Sequence, residues 1–145
     1  FQGYTTDAAD TLLGLGASAI GRTPAGFVQN QAQELAWRKA VQAGDLPIAR
    51  GVALTADDAL NGEVIERLMC DLQVDLAAVC ERHDRPIADL APARARLAPF
   101  AADGLVRLEG DRVVVTEAGR LLVRSICTAF DAYFAPAAGR HSKVI

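Results

Sequence analysis

Apolar positions recur at helical spacing from residue 55 onward. Val64, Ile65, Leu68 and Met69 form one stripe over 55–71, and Thr55-Ala56-Asp57-Asp58 opens it with a capping threonine and an acid three residues later. A second short helix is predicted over 76–83. A third is predicted over 86–102, with Leu90, Leu97 and Phe100 facing inward and Pro92 and Pro99 limiting its regular length. The period then turns strand-like: Leu105-Val106-Arg107-Leu108 and Arg112-Val113-Val114-Val115 flank Glu109-Gly110-Asp111, the signal of a tight hairpin. Helical spacing returns over 117–134, where Leu121, Leu122, Ile126, Phe130 and Tyr133 are predicted on the apolar face. Three helices, a hairpin and a last helix is the element order of a winged-helix-like domain.

Residues 1–54 have a different texture. Phe1-Gln2-Gly3-Tyr4-Thr5-Thr6 is strand-like, with β-formers around a glycine, and 7–13 reads as a turn. The apolar, glycine-bearing run 13–20 suits a buried strand or a loop where backbone approaches a ligand. A helix is predicted over 29–43, with Leu35, Ala36, Ala40 and Val41 on one face and Gly44 at its C-terminus. The stretch 46–54 connects onward with a short strand. Short strands without a complete sheet read as pieces of a larger α/β body.

Composition narrows the function classes. The chain has 145 residues, the size of one ordinary domain, and 51% of them are apolar, so it can bury a core. Net charge is −3 and pI about 5.3, and residues 55–135 hold 14 acids against 9 bases. That field opposes phosphate binding and argues against nucleic acid as a partner. Arg94 and Arg96 alone would serve a groove-reading third helix, with Asp89 and Asp103 at its ends. No apolar run approaches the ~18 residues of a membrane span. The three cysteines (Cys70, Cys80, Cys127) are odd in number and read as reduced cytosolic thiols. The sequence opens on Phe1 without a basic or signal-like segment, and reads as starting inside a longer protein.

Candidate chemistry is thin. Gly14-Leu15-Gly16-Ala17-Ser18-Ala19 fits a relaxed dinucleotide fingerprint, but Ile20-Gly21-Arg22-Thr23-Pro24 does not begin the helix that site requires, so close backbone packing is the better reading. Cys80 and His83 share a helix face at i, i+3, yet a metal needs three or four ligands and Cys70 and His141 are distant. Asp57 and Asp58 sit where acids cap a helix. From composition and spacing alone the chain is α+β, mostly α, with no catalytic set.

Several strings resemble the oxygen-independent coproporphyrinogen III oxidase family of radical S-adenosylmethionine enzymes. They are Phe1-Gln2-Gly3-Tyr4-Thr5-Thr6, Leu12-Leu13-Gly14-Leu15-Gly16, Ser18-Ala19-Ile20, Gln29-Asn30-Gln31, and Arg50-Gly51 with Leu54-Thr55-Ala56-Asp57-Asp58. Val64-Ile65-Glu66-Arg67-Leu68-Met69-Cys70, Asp103-Gly104-Leu105-Val106, Gly119-Arg120-Leu121-Leu122-Val123-Arg124, Phe130-Asp131 and Ser142-Lys143-Val144-Ile145 continue the likeness along the chain. The resemblance implies that 1–54 is the end of a radical S-adenosylmethionine α/β barrel with its connecting helix, and 55–145 a winged-helix-like C-terminal domain covering the active site. It implies oxidative decarboxylation of two propionates of coproporphyrinogen III to vinyl groups, giving protoporphyrinogen IX. The [4Fe-4S] cluster and S-adenosylmethionine generate a 5′-deoxyadenosyl radical on this reading. The cluster ligands, a CxxxCxC motif, fall in a missing N-terminal barrel, so this piece alone is expected to be inactive. Gln2 and Ile20 match positions lining a second S-adenosylmethionine site, an amide with donor and acceptor beside an apolar wall. No residue of the piece is expected to be catalytic or to bind metal. The intact protein is expected to be a cytoplasmic monomer with no nucleic-acid or membrane partner.

Departures leave a diverged paralogue open. Ala25-Gly26-Phe27-Val28 stands where the family has an acid and a tyrosine, and Cys127-Thr128-Ala129-Phe130 lacks a second cysteine. The competing readings are a haem-trafficking relative and a stand-alone winged-helix DNA-binding module.

Overall fold

A computed structural model describes residue 9 and residues 11–134. The strand expected over 1–6, Gln2 within it, and the tail with His141 lie outside the described residues. The chain divides between Ala59 and Leu60 into two compact units.

The first unit is built on a three-stranded antiparallel sheet: β1 (Ile20–Thr23), β2 (Gly26–Asn30) and β3 (Ile48–Ala53), in that order. Gly26 has φ +152, and a Cβ there would lie 2.1 Å from the Val52 carbonyl oxygen, so the β1–β2 turn needs glycine. Helix α1 (Glu34–Gln42) connects β2 to β3. It starts five residues later than the predicted 29–43, because Gln29 and Asn30 extend β2 and pair with Arg50 and Ile48. Gly44 does close it, at φ +81. The run 13–20 forms a loop up to Ile20 rather than a buried strand, and Leu13 and Leu15 are 74% and 89% exposed. The predicted inward face of α1 buries no residue, and β3 is exposed along its whole length. Among the described residues the indole N–H of Trp37 is buried without a partner, a defect costing about 1–3 kcal/mol.

The second unit holds the hydrophobic core. Helix α2 (Ala56–Asp71) begins at a reciprocal cap: the Asp58 amide donates to Thr55 Oγ1 at 3.1 Å, and the Thr55 amide donates to Asp58 Oδ2 at 2.9 Å. Its stripe of Leu60, Val64, Leu68 and Met69 is buried. Leu72, at φ +58, turns the chain into β4 (Gln73–Asp75), a strand absent from the sequence-based expectation. Asp75 then caps α3 (Leu76–Arg82), accepting from the Ala78 amide at 3.0 Å. The helix predicted over 86–102 is three short pieces: a 3₁₀ turn (Ile87–Leu90), α4 (Ala91–Ala95) and α5 (Ala98–Ala102). Pro92 and Pro99 each sit in a first helical turn, where a missing N–H is harmless, so each restarts the helix.

Strands β5 (Val106–Glu109) and β6 (Arg112–Val115) form the expected hairpin, with Gly110 at φ +62 in the turn, and the sheet order is β4-β6-β5. The long final helix predicted over 117–134 is instead a 3₁₀ turn (Arg120–Leu122) and a short α6 (Val123–Cys127), followed by further turns. Val123, Ile126, Cys127, Ala129 and Phe130 fill the core, whereas Leu121 is 96% and Tyr133 79% exposed. The apolar face was therefore real at Ile126 and Phe130, but a tightened first turn swings Leu121 and Leu122 outward. Every ladder among the described strands is antiparallel. No helix among the described residues is long and apolar enough to cross a membrane.

Leu68 is wholly buried in this core. Leu68→Ala should lower unfolding stability by about 2–5 kcal/mol, while Leu121→Ala should change it by less than about 0.5 kcal/mol. Denaturant melts of the two variants measure the difference, and equal losses would contradict the assigned core.

Candidate functional site

The sheet register of the first unit sets a row of side chains on one face. Ile20 pairs with Gln29, and Gln29 with Arg50, so the three stand side by side across β1, β2 and β3. Gln29 is oriented from both ends: its Nε2 donates to the Ser18 carbonyl at 3.1 Å, and its Oε1 accepts from Arg50 Nε at 2.8 Å. The neighbouring row is Arg22, Phe27 and Val52. The loop leading into Ile20 is pinned to the same strand, because the Asn30 amide donates to the Gly14 and Gly16 carbonyls at 3.0 and 2.9 Å. Ser18, at φ +61, donates its backbone N–H to the Gln31 carbonyl at 2.8 Å. Two side-chain amides thus fix the approach to Ile20, which is 44% exposed.

The glycines of the dinucleotide-like string are explained by packing. A Cβ at Gly14 would meet the Ile20 backbone at 2.8 Å, and the string runs into strand β1 rather than a helix. No helix N-terminus is available there to hold a pyrophosphate. Of the two positions carried from the family resemblance, Ile20 lies at the start of β1 and Gln2 is outside the described residues.

In the second unit the polar cluster centres on Glu63 of α2. It accepts from Arg82 Nε at 3.0 Å and contacts His83 Nε2 at 2.8 Å, with Arg67 Nε 3.7 Å away. An ionised carboxylate only accepts, so His83 carries its proton on Nε2. Burial pushes the Glu63 carboxyl up, but the hydrogen bonds and charges of Arg82 and His83 outweigh it and hold it below its ordinary value. Next to it lies a groove of about 650 Å³ lined by Arg67, Asp71, Gln73, Asp75, Arg82 and Arg112. Two of its arginines face acids, Arg67 with Asp71 at 3.3 Å and Arg82 with Glu63, while Arg112 donates to the neutral Gln73 Oε1 at 2.6 Å.

His83 therefore faces a carboxylate, not the thiol of Cys80. Cys80 is buried, and burial pushes its thiol up, with the Asp89 charge adding to the effect. Burial alone pushes Cys127 up to about 11. All three cysteines are thiols, and among the described residues no group of three His, Cys, Asp or Glu could hold a metal. Sequence reasoning missed the Glu63 cluster and the Gln29–Arg50 pair. The i, i+4 spacing of Glu63 and Arg67 was a usable signal, but no local spacing reports a bond between β2 and β3.

Residues 54–122 match the family described as HemN C-terminal domain. The whole chain is 46% identical to the oxygen-independent coproporphyrinogen III oxidase of Bradyrhizobium diazoefficiens, covering 100% of this chain and 32% of that protein. It is 40% identical over 142 residues to coproporphyrinogen III oxidase, anaerobic 1, of Cereibacter sphaeroides, covering 95% of this chain and 30% of that one. Among solved structures it is similar to coproporphyrinogen III oxidase (HemN) from Escherichia coli, described as a radical SAM enzyme. The TM-score is 0.84 at 39% identity, over 92% of this chain and 31% of that one. The chain thus spans about a third of the length of the relatives it matches.

Because the folded Glu63 carboxyl lies below its unfolded value, its contribution is present above the unfolded pKa and is lost as pH falls through the folded one. Glu63→Gln should therefore destabilise the chain by about 1 kcal/mol or less near neutrality, since the cluster is partly solvated and screened. The gap from the unsubstituted chain should close as the medium is acidified through the carboxylate range. Melting temperatures of both proteins across pH measure this, and a gap that widens on acidification would refute it.

Proposed function

We propose that this chain, whose residues 54–122 match the HemN C-terminal domain family, is the C-terminal portion of an oxygen-independent coproporphyrinogen III oxidase. The observation that carries the reading is a likeness running along the whole chain to one third of enzymes bearing that name. On this reading residues 1–54 are the last strands of a radical S-adenosylmethionine barrel with its connecting helix. Residues 55–145 are a winged-helix-like domain set over the barrel mouth. The order α2, α3, the broken α4–α5 segment and the β5–β6 hairpin supports the second assignment. Exposed apolar side chains at Ile48 and Val52 of β3 support the first, since strands at the end of a barrel expect a neighbour.

The residues present do not fit an iron–sulfur cluster. The sequence contains no CxxxCxC, and the cysteine thiols of α3 and α6 are held in apolar surroundings. The [4Fe-4S] ligands belong to the barrel portion of the same protein. S-adenosylmethionine is a better match to the first unit, where Ile20 offers an apolar edge beside the Gln29 amide and Arg50, and Gln2 is assigned with Ile20 to a second molecule of it. When bound in the intact enzyme, these groups supply the one-electron chemistry that removes carbon dioxide from two propionates of coproporphyrinogen III. This chain's own residues enclose the substrate and exclude water, the work of a cover over reactive chemistry. The intact protein is a cytoplasmic monomer on this reading. Local pairing of the second unit's arginines, as in Arg85–Asp89 and Arg94–Asp111, supports the absence of a nucleic-acid partner.

The test is anaerobic turnover of coproporphyrinogen III with S-adenosylmethionine and a low-potential reductant, read as divinyl product by chromatography. The parent protein carrying this chain should form protoporphyrinogen IX, and the 145-residue chain alone should form none. Product from the chain alone would sink the reading, as would a parent protein that binds haem and forms no product.

A further inference from the structure

We infer that Arg50 binds a ligand carboxylate on the sheet face that carries Ile20, and that Gln29 is the residue positioning it. The inference rests on the enzyme assignment above and adds to it a recognition element that the family likeness does not name.

The geometry begins with the cross-strand row Ile20–Gln29–Arg50. Neighbouring side chains in such a row stand about 5 Å apart, so Ile20 and Arg50 flank Gln29 at about 10 Å from one another, a span for the apolar body and the carboxylate of one ligand rather than for a single group. Gln29 cannot turn its amide over: Oε1 accepts from Arg50, and Nε2 donates to the Ser18 carbonyl. Reversal would set an NH₂ against a guanidinium, a donor against a donor. Arg50 Nε is consumed by this bond, which leaves the two terminal nitrogens as the edge it presents. That edge is the planar fork that takes a carboxylate through two parallel hydrogen bonds.

Charge points the same way. Arg38, Arg67, Arg85 and Arg120 each lie within ion-pair distance of an acid one turn away in sequence. Arg50 has no carboxylate partner among the described residues; its one side-chain bond is to neutral Gln29. Strands β1, β2 and β3 carry no acidic residue that would compete for Arg50. Ile20, Phe27 and Val52 share the face of Arg50. A guanidinium oriented by Gln29 on an exposed face shared with apolar side chains fits a largely apolar molecule with a carboxylate at its edge. Two ligands of the proposed reaction have that chemistry: the substrate, through a propionate, and S-adenosylmethionine, through its amino-acid carboxylate.

The experiment uses the intact parent enzyme with Arg50→Gln, Arg50→Lys and Gln29→Glu, the last placing a competing carboxylate against Arg50. Dissociation constants are measured for coproporphyrin III and its tetramethyl ester, and for S-adenosylmethionine and its decarboxylated analogue. Arg50→Gln and Gln29→Glu should weaken one acid ligand by about tenfold to a hundredfold and leave its carboxylate-free counterpart unchanged. Arg50→Lys, keeping charge but losing the fork, should fall between. A loss confined to the porphyrin pair assigns a propionate, and a loss confined to the other pair assigns the amino-acid carboxylate. Binding of both acids within twofold of the unsubstituted enzyme overturns the inference, and so does equal weakening of an acid and its carboxylate-free counterpart. Should Arg50→Gln fail to fold by circular dichroism, Arg50→Lys and Gln29→Glu decide. An unsubstituted enzyme that binds neither acid ligand would instead overturn the assignment on which the inference rests.

Discussion

Burial of apolar side chains holds this protein together, and it is distributed unevenly along the chain. Every buried hydrophobic side chain of the described core lies between Leu60 and Phe130. Each fully buried leucine or valine there contributes about 1.5–3 kcal/mol relative to exposure, enough for a small unit to hold its own fold. Among the described residues the sheet of the first unit has no comparable layer. A twisted antiparallel sheet is stable when one face packs on another element, yet Leu12, Ile20, Ile48 and Val52 all stay exposed. What orders that sheet is polar: ladder hydrogen bonds, and the amides of Gln29 and Asn30 tied to loop carbonyls. Polar ties fix geometry, but each contributes little net stability, so the first unit is specified in detail and weakly driven.

The same contrast decided what the sequence disclosed. Where burial drives structure, periodicity reported it. The Val64–Leu68 stripe, the Thr55 cap and the Gly110 turn emerged where their local chemistry put them. Where a long-range pairing overrides local preference, periodicity misled. Gln29 and Asn30 read as the start of a helix because nothing near them in sequence announces a partner at Arg50. Strand β4 is three residues pinned to β6, and Gln73-Val74-Asp75 alone carries no strand signal. Over 117–134 the helical period was right for Ile126 and Phe130 and wrong for Leu121 and Tyr133. Amphipathic spacing shows which residues could share a face, not where backbone hydrogen bonding stops. The family strings reached further than the physics, because they carry the memory of a body that local periodicity cannot see.

The candidate site follows from how the first unit is ordered. A loop with a strained Ser18 costs free energy, and Gln29 and Asn30 supply the bonds that offset it. That arrangement fixes Ile20 and Arg50 relative to one another across three strands, although they are thirty residues apart in sequence. Arg50 stands on that face without a carboxylate partner among the described residues, its side chain bonded to neutral Gln29. One kind of ligand, an apolar body bearing a carboxylate, answers both that guanidinium and the apolar side chains beside it.

The second unit shows the opposite electrostatic habit, which bears on the covering role proposed for it. Glu63 is met by Arg82 and His83, Arg67 by Asp71, Arg94 by Asp111, and Arg107 by Glu109. In the polar groove beside Glu63, Arg67 and Arg82 already have acid partners, and a ligand drawn to them would first have to break those pairs. Cys80 and Cys127 are buried with their thiols pushed up, which suppresses the thiolate that would make them nucleophiles. A unit placed over reactive chemistry works best when it contributes shape and dryness and withholds competing groups. By that standard the chain divides its labour by charge: the sheet carrying Ile20 and Arg50 presents recognition, and the helical unit presents a surface with little left to react.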